Sequence, residues 1–293
     1  SNANIRKLAQ MGREHGATGL LNTDWGDHGH YQPLGQTWYA YAFGAEQAWT
    51  GGETDEQTFD DCFGRVFLGA GGQAIVSAIR DLGRLNTLEG MPRPNASNSI
   101  YALLDDPLVG ETLDVLPRQT LQEIIRVAQE SIDTLRREYG STQQTLSLDE
   151  MIYSARMNAY AARKVWIGQQ IVADLEAIQE SALTNQEAQE ALSRAIDQLH
   201  SLQNDLASLA ERFEQLWLKR ARRSEIDVSL GHLERLDQRF DSACAWLEER
   251  LARLSQGETP DCSLEDYRRD AESYEILGEA FWRQMQEVMQ SEE

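Results

Sequence analysis

Apolar residues recur at intervals of three and four along most of the chain, and this spacing predicts helices. The first half carries short helical patterns, each bounded by Gly, Pro or capping residues, over 4–15, 34–49, 54–67 and 72–88. The second half carries longer ones, with apolar faces within 121–135, 147–180, 192–216, 229–254 and 267–289. The pattern therefore predicts a mainly α-helical protein.

One segment near the start departs from helical spacing. Ala17–Thr23 is a short, mostly apolar run without alternation, which favours a strand with both faces covered. A helical pattern precedes it, and Pro33 opens another at Leu34–Trp49. A strand between two helices is typical of a parallel βα unit.

The helical pattern over 192–216 has the most regular apolar seam in the chain. It alternates steps of three and four through Leu192, Ala195, Leu199, Leu202, Leu206, Leu209, Phe213 and Leu216. Such a seam serves either a core within the chain or a homodimer interface. Short connections between the long helices predict an antiparallel bundle. We place the main boundary in the breaker-rich "GMPRPNASN", so the predicted domains are 4–90 and 91–293.

The charge of the chain excludes some classes of partner. With 48 acidic and 27 basic residues among 293, the formal net charge is −21. Such a chain repels phosphate backbones and anionic membrane surfaces, so we expect neither a nucleic acid nor a membrane as its partner. Three widely spaced cysteines without a CxxC pair indicate neither a disulfide framework nor a zinc site, and they favour a reducing, cytoplasmic compartment.

The first three residues look artificial. Ser1, Asn2 and Ala3 have the form of the remnant of a cleaved expression tag. We therefore expect the native polypeptide to begin upstream.

Polar chemistry is concentrated directly after the predicted strand. Asp24, Trp25, Asp27, His28 and His30 lie within seven positions, at the end of a strand where barrel enzymes place their active-site loops. An indole face can stack on the C–H edges of a sugar, and a carboxylate two residues later can accept hydrogen bonds from ring hydroxyls. Trp25 and Asp27 suit this task, while Asp24, His28 and His30 would support the loop.

The segments "TDWGDHGHYQPL" and "YAFGAEQAW" resemble the last strand and closing helix of the catalytic barrel in glycoside hydrolase family 20, the β-N-acetylhexosaminidases. "LWLKRARRSEID" is similar to part of the helical domain that follows the barrel in a bacterial branch. The resemblance implies the end of a (β/α)8 barrel followed by an antiparallel helical bundle. It also implies hydrolysis of terminal β-linked N-acetylhexosamine from a carbohydrate, without a cofactor. Trp25 would wall the sugar pocket and Asp27 would bind its hydroxyls.

The family's general acid lies in an Asp-Glu pair on an earlier barrel strand, and this chain has no such strand. Asp149-Glu150 and Asp105-Asp106 stand at a predicted helix start or in a loop, so that role is not transferred to them. The resemblance therefore implies that this chain contributes no catalytic residue and is inactive alone, as the C-terminal part of the enzyme.

Other interpretations of the same residues stay open. Trp25 is compatible with a core position and Asp27 with a loop or cap. Asp24, Asp27, His28 and His30 are compatible with a divalent metal in a metal-dependent hydrolase. The helical region is compatible with a non-enzymatic interaction module.

Two further groups of residues also have an ordinary structural interpretation. We expect core positions for the aromatic residues of the predicted helix over 34–49, namely Trp38, Tyr39, Tyr41, Phe43 and Trp49. For the basic run Lys219–Arg223 we favour a charge cluster at a helix end over a contact with acidic helices.

Overall fold

The computed structural model describes residues 2–25, 29–93 and 96–272. Its α-helices, numbered α1 to α11, are Asn2–Glu14, Leu34–Thr50, Glu56–Phe63, Gly72–Arg84, Asn98–Leu104, Thr112–Val115, Arg118–Arg137, Thr145–Gln179, Asn185–Arg220, Ile226–Ser255 and Glu265–Glu272. A π-helical turn follows α3 at Gly64–Leu68, and short 3-10 turns lie at Leu85–Thr87 and Tyr139–Ser141. The prediction of a mainly α-helical protein is confirmed.

Two of the predicted helix ends coincide with capping residues. Gly51 ends α2 in the left-handed conformation, with φ of 67°. Asp55 caps α3, because its carboxylate accepts a hydrogen bond of 3.0 Å from the Thr58 amide. The long helices extend a few residues beyond their predicted apolar faces, since their polar ends carry no periodic signal.

The predicted strand at Ala17–Thr23 is wrong. These residues have no regular secondary structure, and Leu21 is 86% exposed. Within the described ranges, the main chain of 18–25 makes no backbone–backbone hydrogen bond. A strand exists only by pairing with a neighbour, and the run of apolar residues carries no information about whether that neighbour is present.

The strands that the structure describes lie in the breaker-rich segment. Pro92–Arg93 and Ala96–Ser97, β1 and β2, form a two-residue antiparallel hairpin. This pair is the one sheet among the described residues, and it has only two strands. The barrel remnant and the bundle of the predicted fold class therefore remain proposals beyond the helical content.

The chain divides into two compact units, each built from three stretches of sequence. Unit 1 takes 1–85, 124–159 and 212–226, and unit 2 takes 86–123, 160–211 and 227–293. The predicted domains, 4–90 and 91–293, are each continuous along the chain, so they do not coincide with the units.

Unit 1 has an aromatic core. Tyr39 and Phe43 from α2 pack edge-on against Phe59 of α3, with ring centroids 5.2 and 5.1 Å apart. Phe59 stacks on Phe63 at 5.6 Å. Apolar residues of α4, the end of α7 and the start of α8 complete the cluster. Burial of these side chains is the main force holding α2 in place.

A buried acid completes this core. The Tyr39 hydroxyl donates to Asp60 Oδ1 at 2.5 Å, and Arg80 donates to Asp60 Oδ2 and to Glu56. Burial, with the neighbouring Asp60 carboxylate, raises the pKa of Tyr39 well above its usual value. The hydroxyl therefore stays a donor at any ordinary pH.

Unit 2 contains a buried polar cluster. Asp106 accepts the Tyr267 hydroxyl at 2.9 Å and lies 3.5 Å from Arg239, both through Oδ2. Lys164 Nζ donates to the main-chain oxygen of Asp105. Tyr267 opens the last predicted helix, of which α11 is described, while 273–289 lies outside the described residues.

The apolar seam of 192–216 is buried within the chain along its whole length. It is therefore core, the first of its two interpretations, and a homodimer would need another surface. No single described helix has the length and hydropathy of a membrane span, although the bent pair Glu56–Leu68 and Gly72–Thr87 meets that criterion jointly.

Candidate functional site

Trp25 is an exposed indole on a short loop of unit 1. It is 72% exposed, so the core interpretation of Trp25 is wrong. The indole nitrogen donates to Thr23 Oγ1 at 2.9 Å, which satisfies its one polar atom locally. The ring is thus available to a ligand through its apolar surface.

Asp24, beside it, is the polar centre of the loop. Its Oδ1 accepts a hydrogen bond of 3.1 Å from Gln32, and its Oδ2 accepts one of 3.1 Å from Thr37. The His30 Nε2 atom lies 3.6 Å from the same Oδ2. Because Thr37 belongs to α2, the Asp24 carboxylate joins both sides of the loop to the first turn of that helix.

Two more contacts hold the loop on α2. Gln32 also donates to the main-chain oxygen of Trp25, at 3.3 Å. On the other side, the Asn22 amide donates to the Ala40 carbonyl at 3.1 Å and lies over Gly44, where an added Cβ would come within 2.5 Å of it. The main chain around Trp25 is therefore positioned although its indole is exposed.

The downstream end of the loop is anchored in the interior. Tyr31 is buried and packs on Phe213 of α9, with ring centroids 6.3 Å apart. Phe213 in turn packs on Tyr153 of α8 at 6.1 Å. The two described ends of the loop are thus held, one by polar contacts and the other by aromatic packing.

Asp27 and His28 lie outside the described residues. Asp27 as a ligand for sugar hydroxyls and His28 as a loop support therefore stay predictions. The structure does bring together the other two supporting residues, Asp24 and His30. Gln32 and Thr37 complete their network; sequence reasoning missed both, and the only signal was two polar side chains just before and inside the first turn of α2.

The metal interpretation gains no support from the described part of the loop. Across the described ranges, no group of three or more His, Cys, Asp or Glu side chains is arranged to hold an ion. Asp24 instead accepts donors from Gln32 and Thr37. Each of the two Asp24 carboxylate oxygens therefore accepts a hydrogen bond within the protein.

The aromatic residues of α2 divide by face. The buried side of the helix carries Gly35, Tyr39, Phe43, Gly44 and Gln47, while Trp49 is 89% exposed. The prediction of a core position is confirmed for Tyr39 and Phe43 and wrong for Trp49. Tyr39 could turn inward because Asp60 accepts its hydroxyl, a partner that periodicity does not reveal.

The basic run begins at a helix end, as in the interpretation we favoured, since Lys219 and Arg220 lie in the last turn of α9. It also contacts an acidic helix start, which was the second interpretation. Arg220 binds Glu150 at 2.9 Å, and Lys219 lies 3.6 Å from Asp149. Both acids stand in the first turns of α8. Asp149 and Glu150 therefore both take part in ion pairs between helices. The absence of a general-acid role for them stays a prediction.

Comparison with known proteins adds no relative: no protein family model matches the chain, and no curated protein matches it in sequence. The interpretation of the loop therefore depends on its own residues and geometry.

Proposed function

We propose that this chain is the C-terminal part of an exo-β-N-acetylhexosaminidase, in which Trp25 walls the pocket for a terminal N-acetylhexosamine. The observation that carries the proposal is an exposed indole on a loop whose main chain is held by Asp24, Gln32 and Thr37. A sugar site needs an apolar face that stays in place without a ligand. Asp27, two residues on, would bind the ring hydroxyls.

The unpaired segment before the loop supports a barrel origin. Residues 18–25 have no backbone pairing with the rest of the described chain, and Leu21 and Trp25 are both exposed. A segment separated from the elements that cover it would have such an unpaired main chain and such exposed apolar side chains. In the parent enzyme, the upstream barrel would cover these apolar side chains and supply the Asp-Glu pair.

The proposed role of the supporting loop residues is to position Trp25. The Asp24 carboxylate would keep the Trp25 main chain on α2, and His30 would add a second contact to that carboxylate. No cofactor enters this proposal, because the family's nucleophile is the substrate's own acetamido group. Unit 2 would serve as the helical domain that follows the barrel.

The test measures release of p-nitrophenol from its N-acetyl-β-glucosaminide by this chain and by a polypeptide extended upstream through the barrel. We expect activity only in the extended protein, and an increased KM or lower kcat in its Asp27→Ala variant. An extended protein that folds and leaves the substrate intact would refute the proposal and favour the helical interaction module.

A further inference from the structure

A second concave site lies on unit 1, and Trp25 is not among its lining residues. The cleft has a volume of about 420 Å³, which is within the usual range for small-ligand sites. Its lining residues are Arg136, Tyr139, Asp149, Ile152, Tyr153, Arg156 and Arg212. Three of these seven are arginines, although the whole chain has a net charge of −21.

The cleft follows from helical geometry. Asp149, Ile152, Tyr153 and Arg156 recur at three- and four-residue steps along one face of α8. Arg136 comes from the last turn of α7, and Arg212 from α9. Three separate helices thus bring their cationic side chains to one cavity.

Two of the three guanidinium groups have no acidic partner among the described residues. Arg212 lies 3.1 Å from Asp149, a carboxylate that Lys219 shares at 3.6 Å. Arg136 and Arg156 form no ion pair with any residue in the described ranges. Burial, followed by repulsion from Arg136 and Arg212, lowers the pKa of Arg156. Positive charge therefore exceeds negative charge in the cleft.

We propose that this cleft binds a small ring compound through a phosphate or sulfate ester, held between Arg136 and Arg156. Guanidinium groups bind such oxyanions with paired, charge-assisted hydrogen bonds. An anion there would also relieve the repulsion among the arginines. Tyr139 and Ile152 offer apolar surface to the ring that carries the ester.

The volume and the wall composition favour an ester over a bare ion. A free phosphate would leave most of a cavity of about 420 Å³ unfilled. Tyr153, one wall, is buried and fixed by its contact with Phe213. Of the residues proposed for the hexosamine pocket, those that the structure describes do not line the cleft.

The first test is calorimetric titration of the full chain with glucose 6-phosphate, glucose 6-sulfate and glucose. These probes lack the acetamido group, so they separate the cleft from the hexosamine pocket. We expect one ester to bind at a single site, with an affinity that falls as salt is added, and glucose to give no signal. Comparison of the two esters identifies the anion. Failure of both esters to bind at millimolar concentration would overturn the proposal.

Matched variants locate the site. Arg136→Gln and Arg156→Gln should each weaken ester binding roughly tenfold or more, as expected for loss of a charge-assisted hydrogen bond. Arg137→Gln removes the same charge one residue away, where the side chain donates to Thr134 and does not line the cleft. It should leave the affinity unchanged. An equal loss in all three variants would mean non-specific attraction and refute the site.

A measurement on the unaltered chain avoids any effect of substitution on folding. Phenylglyoxal modifies accessible arginines, and mass spectrometry reads each position. The bound ester should slow modification of Arg136 and Arg156 but not of Arg137. Equal rates with and without the ester would contradict the proposal.

Discussion

Arg220 holds Glu150 through two parallel hydrogen bonds, from Nε to Oε1 and from Nη2 to Oε2, each 2.9 Å long. The Glu150 side chain is 1% exposed and that of Arg220 is 29% exposed. The same Nη2 also donates to Ser147 Oγ at 3.1 Å. Both carboxylate oxygens are thus paired where water does not reach them, and the pair joins the end of α9 to the start of α8.

Loss of one partner from this pair should destabilise the protein strongly. Glu150→Gln removes the buried negative charge and leaves the Arg220 guanidinium facing a neutral amide. We expect the free energy of unfolding, measured with urea, to fall by about 3 kcal/mol, as for other buried pairs that lose one member. The reason is that the amide accepts only through its one oxygen, so one charge-assisted hydrogen bond is lost and the amide nitrogen faces the guanidinium where water does not reach.

A matched substitution isolates the effect of burial. Glu130→Gln breaks the ion pair with Arg126, four residues earlier on α7, in which both side chains are more than half exposed. Solvent screens that pair, so we expect a loss of at most about 0.5 kcal/mol. Similar losses for both variants would show that the buried geometry of Glu150 contributes nothing special.

Gly35 makes the same region intolerant of a larger residue. A Cβ at this position would lie 2.5 Å from Glu150 Oε2 and 2.9 Å from the Ser147 main-chain oxygen. We expect Gly35→Ala to lower the melting temperature, although alanine is the better helix former by about 1 kcal/mol. The carboxylate cannot move away without leaving Arg220.

Gly83 is the control for this prediction. It lies on an exposed part of α4, and a Cβ added there meets nothing within 4 Å. Gly83→Ala should therefore raise stability by up to about 1 kcal/mol. A Gly35→Ala variant that gains stability in the same way would contradict the packing around Glu150.

Lys164 gives unit 2 a pH-dependent stability. It is fully buried, and burial is the main cause that lowers its pKa from 10.5 to about 8. Below pH 8 the ammonium is charged in both the folded and the unfolded chain, so the full penalty of burying it is present. Between about pH 8 and 10.5 the folded chain releases its proton first, so the unfolded chain binds more protons and stability rises with pH.

The Lys164→Met variant lacks this titration. We expect the difference in unfolding free energy, unaltered chain minus variant, to grow by on the order of 1 kcal/mol as the pH rises from about 8 to about 9.5. Urea unfolding at several pH values measures it. Parallel pH profiles for the two proteins would show that Lys164 does not titrate in this range.

Helical periodicity predicted the helices because each apolar face is encoded within its own segment. Leu192 and Leu216 belong to one seam, and both are buried as the spacing requires. The strand at Ala17–Thr23 failed because a strand depends on a partner elsewhere. An apolar run predicts burial only where another element is there to cover it.

Prediction of the candidate sites from the sequence had the same limit, since it found only residues that are close together along the chain. Trp25 and Asp24 could be selected from the sequence because the chemistry is concentrated in one short stretch. The cleft could not, since Arg136, Arg156 and Arg212 lie on three helices and converge only after folding. For the same reason, a contact between the basic run and acidic helices was the less favoured interpretation, although Arg220 binds Glu150, 70 residues away in the sequence.

A comparison of two exposed tryptophans tests whether Trp25 has a specific role in sugar binding. Trp25 is 72% exposed and Trp49 is 89% exposed, both in unit 1, so substitution of either removes a similar apolar surface. In the upstream-extended enzyme, Trp25→Ala should raise KM for the p-nitrophenyl N-acetyl-β-glucosaminide roughly tenfold, the scale expected for a lost aromatic stacking contact. Trp49→Ala should leave KM unchanged.

Intrinsic fluorescence provides a second readout that does not require turnover. Titration with N-acetylglucosamine should change the emission of the extended protein and of its Trp49→Ala variant, because Trp25 contacts the sugar in both. The Trp25→Ala variant should lose that change, provided that its circular dichroism matches the parent. If Trp49→Ala instead abolished the response, the sugar would bind at the end of α2, and the pocket would have to be assigned there.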